Sequence, residues 1–242
     1  MEKTTSSVSK GKIYLIPNTL GESALDQVVP SSVKQVIHEI RYFVVENEKN
    51  ARQLIKLYEL KHPQSDLVFF ELDKHKANSG LQDFLNYVLI GNDIGVISDA
   101  GCPGVADPGA EFVSFAHQKN IDIIPLVGPS SIILALMASG FNGQSFAFNG
   151  YLPIDKDQRK HKLHTLERLV YKIDQTQIFI ETPYRNNQTL NDFMQLLERD
   201  TKLCIACDLT LPTQFIKVKK VKDWKGMLPD LNKRPAIFLI YK

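Results

Sequence analysis

Ser98-Asp-Ala-Gly-Cys-Pro-Gly-Val-Ala-Asp-Pro-Gly109 is the densest feature of the chain, and it follows directly on the short β-branched run 94–98. Three glycines and two prolines in twelve residues make a rigid loop whose backbone a ligand can approach closely. A helical pattern, 110–119, comes next. Strand, loop and helix in that order are the unit of an open α/β sheet, in which ligands bind beyond the carboxyl ends of the strands. Asp107-Pro108 also reads as a helix N-cap with proline at the first helical position. Capping does not call for the stretch from Ser98 to Gly104. The loop is not GxGxxG and the chain has no GK[ST] P-loop, so neither a dinucleotide nor a nucleoside triphosphate is indicated.

Working outward, the same alternation runs through the first half. Short apolar runs at 12–17, 42–45, 67–71, 94–98 and 121–125 read as strands. Helical patterns fall between them at 32–40, 51–58, 81–90, 110–119 and 131–139. The third has apolar residues at 81, 84, 85, 88 and 89, the period of a helix. The spacing predicts βαβ units and a mostly parallel sheet with helices on both faces. A second strand-to-helix loop, Pro125-Leu-Val-Gly-Pro-Ser-Ser131, repeats the first. Ser130 or Ser131 can hydrogen-bond a ligand there, although Ser130 taken alone reads as an N-cap.

After Gly140 the rhythm changes. Strands at 145–150 and 177–181 flank a basic helix, 156–172, and a further helix follows at 184–199. Strands at 203–207, 215–218 and 236–241 close the chain. The first two have too short a connection for a parallel crossover, so a hairpin is expected if they pair. The reading is an α/β protein of two domains, the first mostly parallel and the second mixed, with a ligand cleft expected between them. The bounds are a mobile tail over 1–10, then 11–143 and 144–242.

The 242 residues are 43% hydrophobic and 23% charged, as in a globular chain, which excludes disordered, collagen-like and membrane-spanning classes. The net charge of +2 hides a split. Residues 1–150 hold 12 Lys/Arg against 16 Asp/Glu, and residues 151–242 hold 17 against 11. A basic second half suits an anionic partner. Three cysteines make no disulfide framework, and with no apolar leader or membrane-length run the expectation is a cytoplasmic protein. Cys204-Ile-Ala-Cys207 lies in a strand, where positions three apart face opposite ways, so no metal site is expected.

The runs Ile13–Pro17, Val96–Gly109, Pro125–Ser131, Gly150-Tyr-Leu-Pro153 and Ile180-Glu-Thr-Pro-Tyr-Arg185 together resemble the tetrapyrrole methylase superfamily. Within it they are most similar to the branch of ribosomal RNA small subunit methyltransferase I. The resemblance runs in order from about residue 12 to 241. It implies two α/β domains, S-adenosylmethionine (SAM) as cofactor, and a homodimer. By position, Pro17 would close the cofactor site from the first strand. Ser98, Asp99, Ala100, Gly101, Pro103, Gly104 and Val105 would hold the methionine part, with Ser130 and Ser131 along the cofactor. Glu181, Thr182 and Tyr184 would face it from the second domain, and Pro235, Ala236 and Ile237 would flank the adenine.

The resemblance implies methyl transfer to a 2′-hydroxyl of ribosomal RNA in the small subunit. A ribose hydroxyl is a poor nucleophile and needs a general base. The branch's Glu-Asp-Thr-Arg run is Glu46-Asn-Glu-Lys49 here, and its later acidic run is Asp208-Leu-Thr-Leu-Pro-Thr-Gln214. Glu46 and Asp208 are therefore the carboxylates expected to be catalytic. Lys156, Arg159, Lys160 and Lys162 on the basic helix are expected to meet RNA phosphates. Two other readings stay open: a methyltransferase acting on a tetrapyrrole or another small molecule, and a non-catalytic RNA-binding protein on a methylase scaffold.

Overall fold

Side chains alternate across a strand, so a strand with apolar residues at successive positions must be covered on both faces. The computed structural model, which describes residues 9–60, 62–72 and 80–242, shows this in the first of two units, the one ending at Pro129. Its strands are β1 (Ile13–Ile16), β2 (Tyr42–Val45), β3 (Val68–Glu71), β4 (Ile94–Ile97) and β5 (Ile123–Pro125). They pair in the order β3-β2-β4-β1-β5, all parallel. Its helices are α1 (Leu25–Val28), α2 (Ser31–Glu39), α3 (Glu48–Leu57), α4 (Leu81–Phe84), α5 (Asn86–Leu89) and α6 (Gly109–Gln118).

Phe43 and Val45 of β2 pack with Ile16 and Ile97 against Val33 and Ile37 of α2 and Leu54 and Ile55 of α3. The intervening Val44 joins Ile13, Ile94 and Val96 under α4, α5 and α6 through Leu81, Val88 and Phe112. Gly95 sits at the crowded centre of β4, where a Cβ would come within 2.6 Å of Ile16 Cδ1. The helix expected over 81–90 is interrupted at Leu85. That residue keeps helical dihedrals (φ −61°, ψ −20°), so the apolar face runs on unbroken. The expected tail lies, over residues 1–8, outside the described residues.

The second unit starts at Ser130. It holds α7 (Ser131–Ser139), β6 (Phe146–Phe148), α8 (Lys156–Ile173), β7 (Thr176–Ile180), α9 (Asn186–Leu196), β8 (Lys202–Cys207), β9 (Phe215–Lys220) and β10 (Ala236–Tyr241). The sheet order is β6-β7-β10-β8-β9, and only β6 and β7 run parallel. The expected hairpin is there: β8 and β9 are antiparallel neighbours. One face buries Leu163, Leu166 and Val170 of α8 and Phe193 of α9 against Phe179, Ile205 and Phe238.

The boundary expected near 143 falls instead after Pro129. α7, with Ile132, Ala135 and Leu136 buried, packs on β10 and β9 and so belongs to the second sheet. Arg159 departs from expectation too. It is 3% exposed, donates to Asp192 Oδ2 at 2.7 Å and to the carbonyls of Pro153 and Ile154, and so ties α8 to α9. Its guanidinium is taken up in packing, where an exposed RNA contact was expected.

Candidate functional site

In the first unit, parallel strands bring their carboxyl ends to one edge, and the loops there are fastened together by side chains. Asn18, just past β1, donates from Nδ2 to the carbonyls of Ser98 and Asp99, each at 3.0 Å, and its own amide donates to Gly101 O at 2.8 Å. Buried Ser98 turns its hydroxyl back onto Ala100 O at 2.9 Å. Asp107 Oδ1 accepts from the amides of Gly104 (2.8 Å) and Gly109 (2.7 Å). The expected cap thus acts from one residue earlier, because Pro108 itself takes the N-cap position of α6. Gly101 and Gly104 adopt left-handed φ of 70° and 79°, which favours glycine. Pro17 and Pro103 are buried, and Asp99, Ala100 and Val105 are exposed.

The second loop fits against the first strand just as closely. A Cβ on Gly128 would lie 2.1 Å from Pro17 Cβ, so only glycine passes there. Cys102 Sγ donates to Pro129 O at 3.4 Å, and burial with Asp107 nearby pushes its thiol pKa up. Ser130 accepts from the Ile133 amide at 3.5 Å as the N-cap of α7, and Ser131 opens that helix partly exposed. Between the β1 loop and α3 lies a groove of about 360 Å³, lined on its polar side by Asn18, Thr19, Glu22, Asn50, Gln53 and Asp99.

In the second unit the ends of β6, β7 and β8 meet the start of β10 at one sheet edge, which gathers 150–153, 181–184, Asp208 and Pro235. Glu181 is turned inward. Its carboxylate accepts from the Thr182 amide at 2.7 Å and pairs with Arg185 at 3.1 Å, which holds its own turn. Thr182 and Tyr184 are exposed beside it. Ala236 and Ile237 are buried in the central strand, and exposed Pro235 accepts from the Asp208 amide at 3.0 Å.

No protein-family profile matches the chain. Ribosomal RNA small subunit methyltransferase I of Vibrio cholerae is 31% identical over 205 residues, covering 85% of this chain and 67% of the relative. The chain belongs to the family of ribosomal RNA small subunit methyltransferase I. Relatives of the same name from Haemophilus influenzae (27% over 233 residues, 95% of this chain, 78% of the relative) and Bacillus subtilis (29% over 217 residues, 88% and 70%) agree. Among solved structures, the methyltransferase CobJ matches with a TM-score of 0.63 at 18% identity, over 96% of this chain and 94% of that one. A uroporphyrin-III C-methyltransferase from Thermus thermophilus, complexed with S-adenosyl homocysteine, matches at 0.54 and 12% identity, over 96% and 98%. At those identities the likeness is one of fold. The relatives of this family are named methyltransferases, and S-adenosyl homocysteine in the last of these structures is what SAM leaves once its methyl group is gone.

Against this family background, the two acids expected to be catalytic are already engaged. Glu46, just past the end of β2, accepts the Asp99 amide at 3.1 Å and so braces the Gly/Pro loop. Buried Asp208 receives Arg234 Nε and Nη2, each at 2.8 Å, and the Thr213 hydroxyl at 2.9 Å. The hydrogen bond to Asp208 raises the Arg234 pKa, which keeps that guanidinium charged. Both acids hold structure. The Asp99 carboxylate, by contrast, makes no hydrogen bond or ion pair with another described residue. Asn18, Gly128 and Arg234 were not singled out from sequence. Asn18 and Arg234 each adjoin a residue that was, Pro17 and Pro235, and Gly128 lies inside the 125–131 loop.

Cys204 and Cys207 are both buried, with thiols pushed up to about 12 and about 11 by burial. Among the described residues no group of three or more His, Cys, Asp or Glu is placed to hold a metal, and no helix is long and apolar enough to cross a membrane.

Proposed function

We propose that the chain transfers the methyl group of SAM to the 2′-hydroxyl of a ribose in small-subunit ribosomal RNA, as part of a homodimer. The observation that carries this is the shared family with curated ribosomal RNA methyltransferases over most of the chain. The residues fit the cofactor. SAM has a zwitterionic tail and a sulfonium cation, and the braced loop from Ser98 to Val105 offers peptide groups at two left-handed glycines. Pro235 is the exposed residue of the trio expected at the adenine.

When bound, SAM supplies a methyl group already activated on sulfur. The chain's own part is to position the acceptor and receive its proton. Glu46 and Asn18 position the loop, and Asp99 is the carboxylate assigned to accept the hydroxyl proton. The groove beside it, lined by polar side chains and by Leu20 and Leu54, is the place assigned to the acceptor.

Titration calorimetry with SAM, followed by mass spectrometry of small-subunit ribosomal RNA after incubation with protein and SAM, tests the reading. The expected result is SAM binding and one added methyl group on a ribose. SAM binding with no RNA methylation would instead favour a small-molecule acceptor. Failure to bind SAM would leave only the non-catalytic reading.

A further inference from the structure

Along α8 the exposed residues Lys156, Lys160, His164, Arg168 and Lys172 recur every four positions. At 1.5 Å rise per residue the row is about 24 Å long, with a basic side chain about every 6 Å. None of the five side chains makes an ion pair or hydrogen bond with another described residue. A four-residue step overshoots the 3.6-residue turn by about 40°, so the row winds about the helix. Its last three members, His164, Arg168 and Lys172, stay within about 80° of arc and share one face.

That face borders a depression of about 560 Å³, lined by His164, Glu167, Arg168, Tyr171, Lys172 and Glu198. Tyr171 is 47% exposed, yet its ring is held. Its hydroxyl lies 2.8 Å from Thr201 Oγ1, which donates to Glu167 Oε1 at 2.6 Å. Glu167 also accepts the Glu198 amide at 2.8 Å, so this carboxylate points into the fold and is 4% exposed. Exposed Glu198 is the one outward-facing acid of the lining. Beyond it, Arg199 and Lys202 are exposed, and Lys220 and Lys222 share the single carboxylate of Asp200. The basic tract therefore continues past the end of the helix.

We infer that the second half of α8 and the 198–202 turn form a docking surface for a single-stranded segment of RNA. Tyr171 is the platform for one base, and His164, Arg168 and Lys172 meet the phosphates on either side. A held aromatic ring among unpaired cations suits an unpaired base, whose face is free, whereas a duplex hides its base faces in the stack. The surface lies apart from the cofactor loops in sequence and shifts the expected RNA contacts toward the helix's C-terminal end. It rests on the ribosomal RNA reading above.

Fluorescence anisotropy with a short labelled single-stranded oligoribonucleotide, measured across a salt series, tests it. Tyr171→Ala should bind roughly tenfold more weakly, and Tyr171→Phe, which keeps the ring, should bind like the wild type. The double variant Arg168→Gln/Lys172→Gln should flatten the log affinity against log salt slope by about 1.4. SAM affinity and thermal midpoint should not move in either. Wild-type affinity in both variants, with methylation of ribosomal RNA intact, would overturn the docking surface and leave the methyltransferase reading standing. A wild-type protein that binds SAM but neither binds nor methylates RNA would overturn both. Loss in the double variant without loss in Tyr171→Ala would overturn the base platform.

Discussion

Asp99 looks less catalytic in the sequence than Glu46 or Asp208. Its backbone is fixed on both sides, by Glu46 at the amide and by Asn18 at the carbonyl, while its side chain faces the groove without a partner among the described residues. A fixed backbone under a free carboxylate is what a general base needs, since positioning and proton acceptance must coincide. Asp99→Asn should lower kcat for methyl transfer about a hundredfold or more and leave the SAM Kd within a few-fold. A kcat close to wild type in single-turnover assays would show that the proton leaves by another route. Glu46 was legible as an acid at a strand end, and so was Asp208. Their hydrogen bonds were not, because an acid's partner is set by which chain segment folds back onto it.

α8 shows how one element divides its charges. Leu163, Leu166 and Val170 put one side of the helix into the core, and Arg159 lies on that same side with its guanidinium paired to Asp192. Removing one member of such a pair leaves the other charge buried, at a cost of about 3–5 kcal/mol. Arg159→Met should lower stability by about that much in chemical denaturation, and Arg159→Met/Asp192→Leu should recover much of it. RNA affinity per folded molecule should stay unchanged in both; a selective loss would return Arg159 to the RNA surface. The β8–β9 hairpin was legible because a short connection allows nothing else. The unit to which α7 belongs was not. Ser131-Ile-Ile-Leu-Ala-Leu-Met-Ala-Ser139 is apolar nearly all round, so its pattern names no preferred face.

At the scale of the whole molecule, burial holds Tyr58 in the first unit and Cys204 and Cys207 in the second protonated. Below the ordinary thiol pKa of 9.0 both folded and unfolded cysteines are neutral, and the stability is fully present. Above it the unfolded chain ionises first. Stability should then fall as pH rises through about 11 and about 12, the folded values, by at most about 1.4 kcal/mol per pH unit for each thiol. Urea denaturation on both sides of pH 9 measures this, and Cys204→Ala/Cys207→Ala should flatten the profile. An unchanged slope in that variant would refute the assignment. The charge split survives the revised boundary, because residues 130–150 carry no Asp, Glu, Lys or Arg. The sequence by itself determined two α/β units, a rigid Gly/Pro loop at a strand end, and an acidic half followed by a basic one. Those features are written in local spacing and composition. Only the tertiary structure decided which charges are already committed. Glu46 meets an amide 53 positions away, Arg159 a carboxylate 33 away, and Asp208 a guanidinium 26 away, and no local pattern records such pairings.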